Sequence, residues 1–332
     1  MSALVAHFLN VGHGDCTFLE FPSGRLAMID INNTESLPEA DVDALAQARG
    51  MSTAAFKSAA AGTRSWEDYY KSLLDDPVDY YRANFEGRSI FRYIQTHPDM
   101  DHMTGLYRFF FQEEIPLQCF WDVAHAKDLS HAEFDNSRYD WSDWLAYRCM
   151  RNGVHPNDID AEWNMRVINN HRGARGQFWT DDDMTVLSPT PELIDDCNVR
   201  ESWNDSSYVL RLNYGGRRLI LPGDAEAPAW RSILDGHNRE QLNCNVLKAS
   251  HHGRESGYHF DAVDAMNPSF VVCSVGKKPS TDASDEYAAH GASVLSTRFH
   301  GTVKVTMWWD GEIWIDTAKG GRLHTLAPLA AA

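Results

Sequence analysis

Residues 96–105 read Thr-His-Pro-Asp-Met-Asp-His-Met-Thr-Gly and follow directly on the apolar run Ile90-Phe91-Arg92-Tyr93-Ile94. A strand that ends by releasing His97, Asp99, Asp101 and His102 within six positions must open onto a polar volume. Imidazoles and carboxylates at that density gain nothing from apolar packing. The segment therefore calls for a fold in which a strand end lines a pocket, and its residue types suit divalent metal ions.

The rest of the chain supplies strand-sized signals of the same kind. Val5–Leu9 and Thr17–Phe21 read as a hairpin around Asn-Val-Gly-His-Gly-Asp-Cys, and Leu26–Ile31 as a third strand. Residues from about Thr34 to Gly87 change to helix-compatible spacing and read as an inserted helical segment. Leu106, Phe109 and Phe110 recur at helical spacing, and Leu117–Val123 reads as another strand. The stretch 125–180, rich in Trp, Tyr, Asp and Asn, reads as a second insertion. Within it, Tyr139, Trp141, Trp144 and Tyr147 fit a helix burying one face. Strands follow at Met184–Leu187, Tyr208–Asn213 and Arg217–Leu221, the last two joined by Gly215-Gly216, which suits a tight hairpin turn. Val246–Lys248 then runs into Ala-Ser-His-His-Gly, and further strands alternate with helices to the end. Two sheets packed face to face with helices outside accommodate this α/β pattern.

Composition narrows the functional classes. The 332 residues carry a net charge of -17, which argues against broad duplex DNA binding and leaves room only for a localised positive site. Six scattered cysteines without a Cys-x-x-Cys pair fit reduced thiols. With no signal-like N-terminus and no apolar span of membrane length, the expectation is a cytoplasmic protein free of the membrane.

Three separated strand ends carry ligand-type residues: His97–His102, Asp224 in Leu-Pro-Gly-Asp-Ala-Glu, and His251-His252. A carboxylate such as Asp224 can bridge two cations while neutral imidazoles hold each from outside. Such a centre acidifies water and clamps an oxyanion or phosphoryl group, and hydrolysis is its natural product. Lys248, immediately before the histidine loop, is a candidate substrate-phosphate contact. His7, His13, His125, His131, His155, His171, His237 and His300 stand outside these motifs and are expected to be structural or surface residues. Gly12 and Gly14 are expected to let the backbone approach the pocket as well as to permit a turn.

Order and spacing of these pieces resemble the metallo-β-lactamase-fold hydrolases, and within them the soluble domain of the ComEC-type DNA-uptake proteins. The matching pieces are Asn10-Val-Gly-His-Gly-Asp-Cys16, Met28-Ile-Asp-Ile31, Thr96-His-Pro-Asp-Met-Asp-His102, Asn204-Asp-Ser-Ser-Tyr-Val-Leu210, Leu221-Pro-Gly-Asp-Ala-Glu226 and Leu247-Lys-Ala-Ser-His-His-Gly253. Val271–Gly276 and Gly291–Thr297 continue the match, whereas about 35–87 and 125–180 are not covered. The resemblance implies one four-layer αββα domain over 1–332, with two mixed sheets face to face and helical insertions in those two stretches.

By the same resemblance, two divalent ions, Zn or Mn, would be held: His97 and Asp99 on one, Asp101 and His102 on the other, Asp224 bridging. His252 would be a further ligand. His251 would contact the substrate phosphate or donate a proton, and Asp101 would orient or deprotonate the nucleophile. Asp15 and Asp30 would orient ligands, and Asn204 and Asp205 stand where many relatives have a further His ligand. Asp in place of His at position 99 makes the first metal position harder and Mn²⁺ more competitive. The match weakens at Lys277-Lys278-Pro279. The expected activity is hydrolysis of a phosphodiester in a nucleotide, a single strand or another molecule, with the insertions available to partner proteins. A lactone, thioester or amide hydrolase, or a metal-stabilised regulatory scaffold, are the alternatives.

Overall fold

The computed structural model describes residues 2–33, 42–43, 46–47, 50–62, 65–163, 165–275 and 281–329. The Lys277-Lys278-Pro279 loop lies outside them, as does part of the first expected insertion. Its strands are β1 (Ala3–Phe8), β2 (Thr17–Glu20), β3 (Leu26–Ile29), β4 (Arg92–Ile94), β5 (Cys119–Asp122), β6 (Val154–His155), β7 (Asp158–Glu162), β8 (Arg166–Asn169), β9 (Met184–Ser188), β10 (Val209–Tyr214), β11 (Arg217–Leu221), β12 (Val246–Lys248), β13 (Phe270–Cys273), β14 (Ser293–Ser296), β15 (Val303–Trp308), β16 (Ile313–Thr317) and β17 (Gly321–Leu326).

One sheet runs in the order β17-β16-β15-β1-β2-β3-β4-β5-β8, and the second in the order β14-β13-β12-β11-β10-β9. Both are mixed. In the first, pairing is antiparallel from β17 to β3 and parallel from β3 through β8. In the second it is antiparallel from β9 to β11 and parallel from β11 to β14.

Alternation along the strands explains the layering. Leu4, Ala6 and Phe8 of β1, Ile94, and Leu210, Leu212, Leu219 and Leu221 of β10 and β11 fill one core between the sheets. Their sequence neighbours turn outward. Phe18, Met28, Tyr93 and Phe120 meet helices on one side, and Val209, Ile220, Leu247 and Val271 meet helices on the other. Among the helices are α1 (Thr53–Ala61), α2 (Trp66–Lys71), α3 (Pro77–Phe85), α4 (Trp141–Asn152), α5 (Pro191–Arg200), α6 (Ala227–Gly236), α7 (Phe260–Met266) and α8 (Ser284–Ala289). Buried residues of α3 and α4 cover the first sheet, and those of α6, α7 and α8 cover the second. The result is an αββα sandwich.

The helix expected after the His/Asp segment is a short π-helix, Arg108–Gln112, which buries three consecutive phenylalanines. Trp144 and Tyr147 of α4 are fully buried, in keeping with a helix that buries one face. The stretch 125–180 does not stand wholly apart from the sheet, because β8 pairs in parallel with β5. Gly215 and Gly216 turn the β10–β11 hairpin at φ 57° and 73°, as their sequence position implied.

A buried ion pair locks the parallel edge of the first sheet. Arg92 Nη2 donates to Asp182 Oδ2 at 2.8 Å, and Arg25 Nη1 donates to the other oxygen at 3.0 Å. The Arg92 guanidinium also lies over the rings of Phe21, Phe91 and Trp121. Replacing Asp182 with Ala would strand a buried cation, and the expected cost is about 3–5 kcal/mol in urea unfolding. An Arg92→Met/Asp182→Leu double variant is expected to recover a large part of it.

Candidate metal centre

The ligand-type residues leave the carboxyl ends of parallel strands from both sheets, where open α/β sheets form their crevices. The 96–102 loop follows β4, Asp30 follows β3, Asp224 follows β11, and Ser250–His252 follows β12. Three non-glycine residues there adopt left-handed backbone: Asp30 (φ 52°), His251 (φ 48°) and His252 (φ 58°). Strain of this kind persists only where surrounding contacts over-determine it, and it concentrates at functional sites. The β1–β2 loop presses against the 96–102 loop. A Cβ on Gly14 would lie 2.4 Å from the Asp101 carbonyl oxygen, so only glycine permits the approach.

Asp30 organises the centre. Its Oδ1 accepts the Thr96 backbone N–H at 2.7 Å, and its Oδ2 accepts the Thr96 hydroxyl at 2.6 Å. The same Oδ2 lies 2.7 Å from His102 Nδ1. Because the Thr96 proton is committed to Asp30, the 3.1 Å contact between Thr96 Oγ1 and His97 Nδ1 requires His97 to donate. Both histidines are thus held through Nδ1, with Nε2 turned toward Asp224. Gln95 adds a second brace, its amide donating to the carbonyls of His97 (2.8 Å) and His102 (3.0 Å). Asp143 of α4 accepts the N–H groups of Gly105 and Tyr107 at 2.9 Å each and fixes the segment that follows the loop.

Asp224 is the hub. Its Oδ2 lies 3.2 Å from His102 Nε2, 3.3 Å from His252 Nε2, 3.7 Å from His251 Nε2 and 4.0 Å from His97 Nε2. Asp101 Oδ2 lies 3.5 Å from His252 Nε2. Ligands about 2.1 Å from a tetrahedral cation stand roughly 3.4 Å apart, so the closer of these separations are those of one coordination shell. Among the described residues, donor atoms of Asp15, His102, Asp224 and His252 converge, as do those of His13, Asp101 and His252. His97 Nε2, His102 Nε2 and Asp224 Oδ1 are buried without a hydrogen-bond partner. Buried imidazole and carboxylate atoms left in this state fit a divalent cation.

The electrostatics agree. Burial pulls the His102 imidazole down, but Asp224 and Asp30 outweigh it and hold it well above its usual range. His252 behaves likewise through Asp224 and Asp15. Burial pushes the Asp224 carboxyl up, and His102 and His252 overcome it and hold it well below the carboxylate range.

The structure relocates several expected residues. Lys248, expected to contact a substrate phosphate, is buried, and its Nζ lies 2.5 Å from Asp15 Oδ2. Asp15 is more than an orienting residue, since it joins the converging donors. Asp205 is turned away from the centre. Its Oδ1 accepts the Glu226 and Ala229 N–H groups at the start of α6, and Oδ2 faces Arg200. Asn204 contacts Glu226 at 3.5 Å. His13, expected to be structural or on the surface, lies with Nε2 3.6 Å from Asp101 Oδ2 and 2.9 Å from Arg254 Nη2. Its position between Gly12 and Gly14, two residues before Asp15, was the available signal. His251 and His252 differ in setting: His252 is fully enclosed, while the His251 side chain keeps 16% exposure and is held at Nδ1 by Glu226 (2.9 Å) and Ser256 (2.8 Å).

No family model matches the chain. Over 132 residues, 38% of this chain and 18% of the relative, it is 29% identical to the competence protein ComA of Neisseria gonorrhoeae. Over 108 residues, 31% of this chain and 14% of the relative, it is 28% identical to ComE operon protein 3 of Bacillus subtilis (strain 168). The chain therefore matches less than a fifth of either relative's length. Among solved structures, Igni18, a metallo hydrolase from Ignicoccus hospitalis, aligns with a TM-score of 0.47 at 12% identity, over 90% of this chain and 98% of that one. No helix among the described residues is long and apolar enough to cross a membrane.

Asp30→Ala frees both histidine rings, and metal affinity measured by chelator competition is expected to fall on the order of 10- to 100-fold. Because Asp224, Asp30 and Asp15 hold the His102 and His252 protons to above the usual imidazole range, affinity is expected to rise with pH through that range and beyond it. Calorimetry in buffers of different ionisation heat should detect proton release.

Proposed function

We propose that this chain, which resembles ComEC-type proteins of the metallo-β-lactamase fold, is a metal-dependent hydrolase whose substrates are phosphodiesters. The observation that carries the reading is the buried convergence of Asp15, His102, Asp224 and His252, with Asp101 against His252 and a partly exposed, oriented His251 beside them. His97, Asp99, Asp101, His102, Asp224 and His252 would hold divalent ions, Zn or Mn. Bound there, such ions supply Lewis acidity and lower the pKa of water.

The chain's own residues do the remainder. Glu226 fixes His251 through Nδ1 and leaves Nε2 facing the crevice, where the imidazolium form can pass its Nε2 proton to the leaving oxygen. Asp101, whose Oδ2 lies between His252 and His13, orients the attacking water by accepting its hydrogen. Lys127 and Arg254 place positive charge at the edge of the centre, beside Asp99 and His13 respectively. In a chain of net charge -17 this local reversal favours an anionic substrate that fits the crevice, such as a nucleotide or a single strand, over a long duplex.

The test is hydrolysis of bis-p-nitrophenyl phosphate by the purified chain with Mn²⁺ and with Zn²⁺, beside lactone, thioester and amide substrates. Phosphodiester turnover is expected, with Asp224→Ala reducing it to background. His251→Ala should lower kcat about 10²- to 10⁴-fold while leaving bound metal unchanged. Metal-loaded protein with no phosphodiester turnover would overturn the substrate assignment.

A further inference from the structure

We infer that the centre holds one divalent ion tightly, on the His102/His252 side, and that the Lys127 ammonium takes the part of the second cation beside Asp99. The inference rests on the metal-dependent reading above and replaces its pair of equivalent ions with an unequal one.

The two halves differ in how closely their donor atoms converge. On the His102 side, Asp224 Oδ2 stands 3.2 Å and 3.3 Å from two imidazole nitrogens, with Asp101 Oδ2 a further 3.5 Å from His252. These spacings suit a single coordination shell. On the other side His97 Nε2 is 3.7 Å from Asp99 Oδ2 and 4.0 Å from Asp224 Oδ2. Neither His97 nor Asp99 belongs to a converging donor group among the described residues. The third ligand that this half would need is spent elsewhere, because Asp205 receives the N–H groups at the start of α6.

Lys127 occupies what is left. Its Nζ donates to Asp99 Oδ1 at 2.6 Å, lies 5.2 Å from the centre of the Trp203 ring, and comes from a side chain only 15% exposed. An ammonium in contact with a carboxylate neutralises the charge that would attract a cation to it, and Asp99 is the only carboxylate that half does not share. The ammonium carries one positive charge and three donors. It can therefore contact a phosphoryl oxygen as a fixed electrostatic group while the tight ion serves the other side of the substrate.

The experiment is metal stoichiometry on the full chain, independent of turnover. Chelator-stripped protein is titrated with Mn²⁺ and with Zn²⁺ by calorimetry, and retained metal is counted by elemental analysis after dialysis. One retained ion per chain is expected, with any second binding at least about tenfold more weakly. Lys127→Met should strengthen the second ion about tenfold or more, and Asp101→Asn should weaken the first on the order of 10- to 100-fold. Asp99→Asn should leave the first within about threefold, well short of the loss expected on removing a ligand. Two wild-type ions of like affinity would overturn the inference and leave the hydrolase reading intact, as would equal losses in Asp99→Asn and Asp101→Asn. No bound ion at all would overturn the metal reading beneath it.

Discussion

The grip of Asp30 on His102 and Thr96 is the contact on which the remaining geometry of the centre depends. One buried carboxylate accepts a backbone N–H, a hydroxyl and an imidazole N–H, and so fixes the path of the 96–102 loop and the rotation of its two histidines at once. Neutral imidazole can present either nitrogen, and nothing in a His-x-Asp-x-Asp-His spacing decides which. Asp30 decides it by binding one side and leaving the other bare. That the residue following β3 reaches this position only through left-handed backbone shows how firmly the surroundings hold it.

The sheets explain how residues so far apart in sequence reach one volume. Each sheet changes from antiparallel to parallel pairing near its middle, and the parallel strands β3, β4, β11 and β12 all point their carboxyl ends to the same edge of the sandwich. The shared core between the sheets holds these ends at a fixed separation, since leucines and valines from both faces interdigitate with no room to slide. The β1–β2 loop closes the crevice from the side, and its contact with the Asp101 carbonyl leaves no space for a side chain at Gly14. Rigid elements rather than loops alone thus set the donor positions, as a metal centre requires.

Much of this was legible in the sequence, and the parts that were not share a cause. Strand ends carrying His97–His102, Asp224 and His251-His252 could be read because each follows an apolar run. The two-sided burial that makes those runs continuous is a local property. The places of His13 and Lys127 and the Asp15 partner of Lys248 could not be read the same way. A lysine before a ligand loop looks alike whether it faces a substrate or a buried carboxylate, and only the fold brings Asp15, 233 positions earlier, within 2.5 Å of Lys248. Asp205 shows the converse. Its spacing matched a ligand position, but a carboxylate at the start of a helix has a competing partner in the free N–H groups there, and α6 takes it. Pairing across the fold outweighs motif position wherever two roles suit the same residue type.

Charge balance ties these corrections together. Asp15, Asp30, Asp99, Asp101 and Asp224 crowd one crevice, and so many carboxylates cannot stay ionised there without compensating cations. Lys248 answers Asp15 from below and Lys127 answers Asp99 from the rim, at 2.5 Å and 2.6 Å. Asp30 is satisfied by three donors. What remains is Asp101 and Asp224, facing the Nε2 atoms of His102 and His252, which like Asp224 Oδ1 are buried without a hydrogen-bond partner. One divalent cation placed among those groups would neutralise both carboxylates and satisfy both rings. Lys127, by neutralising Asp99, would confine it to that half of the crevice.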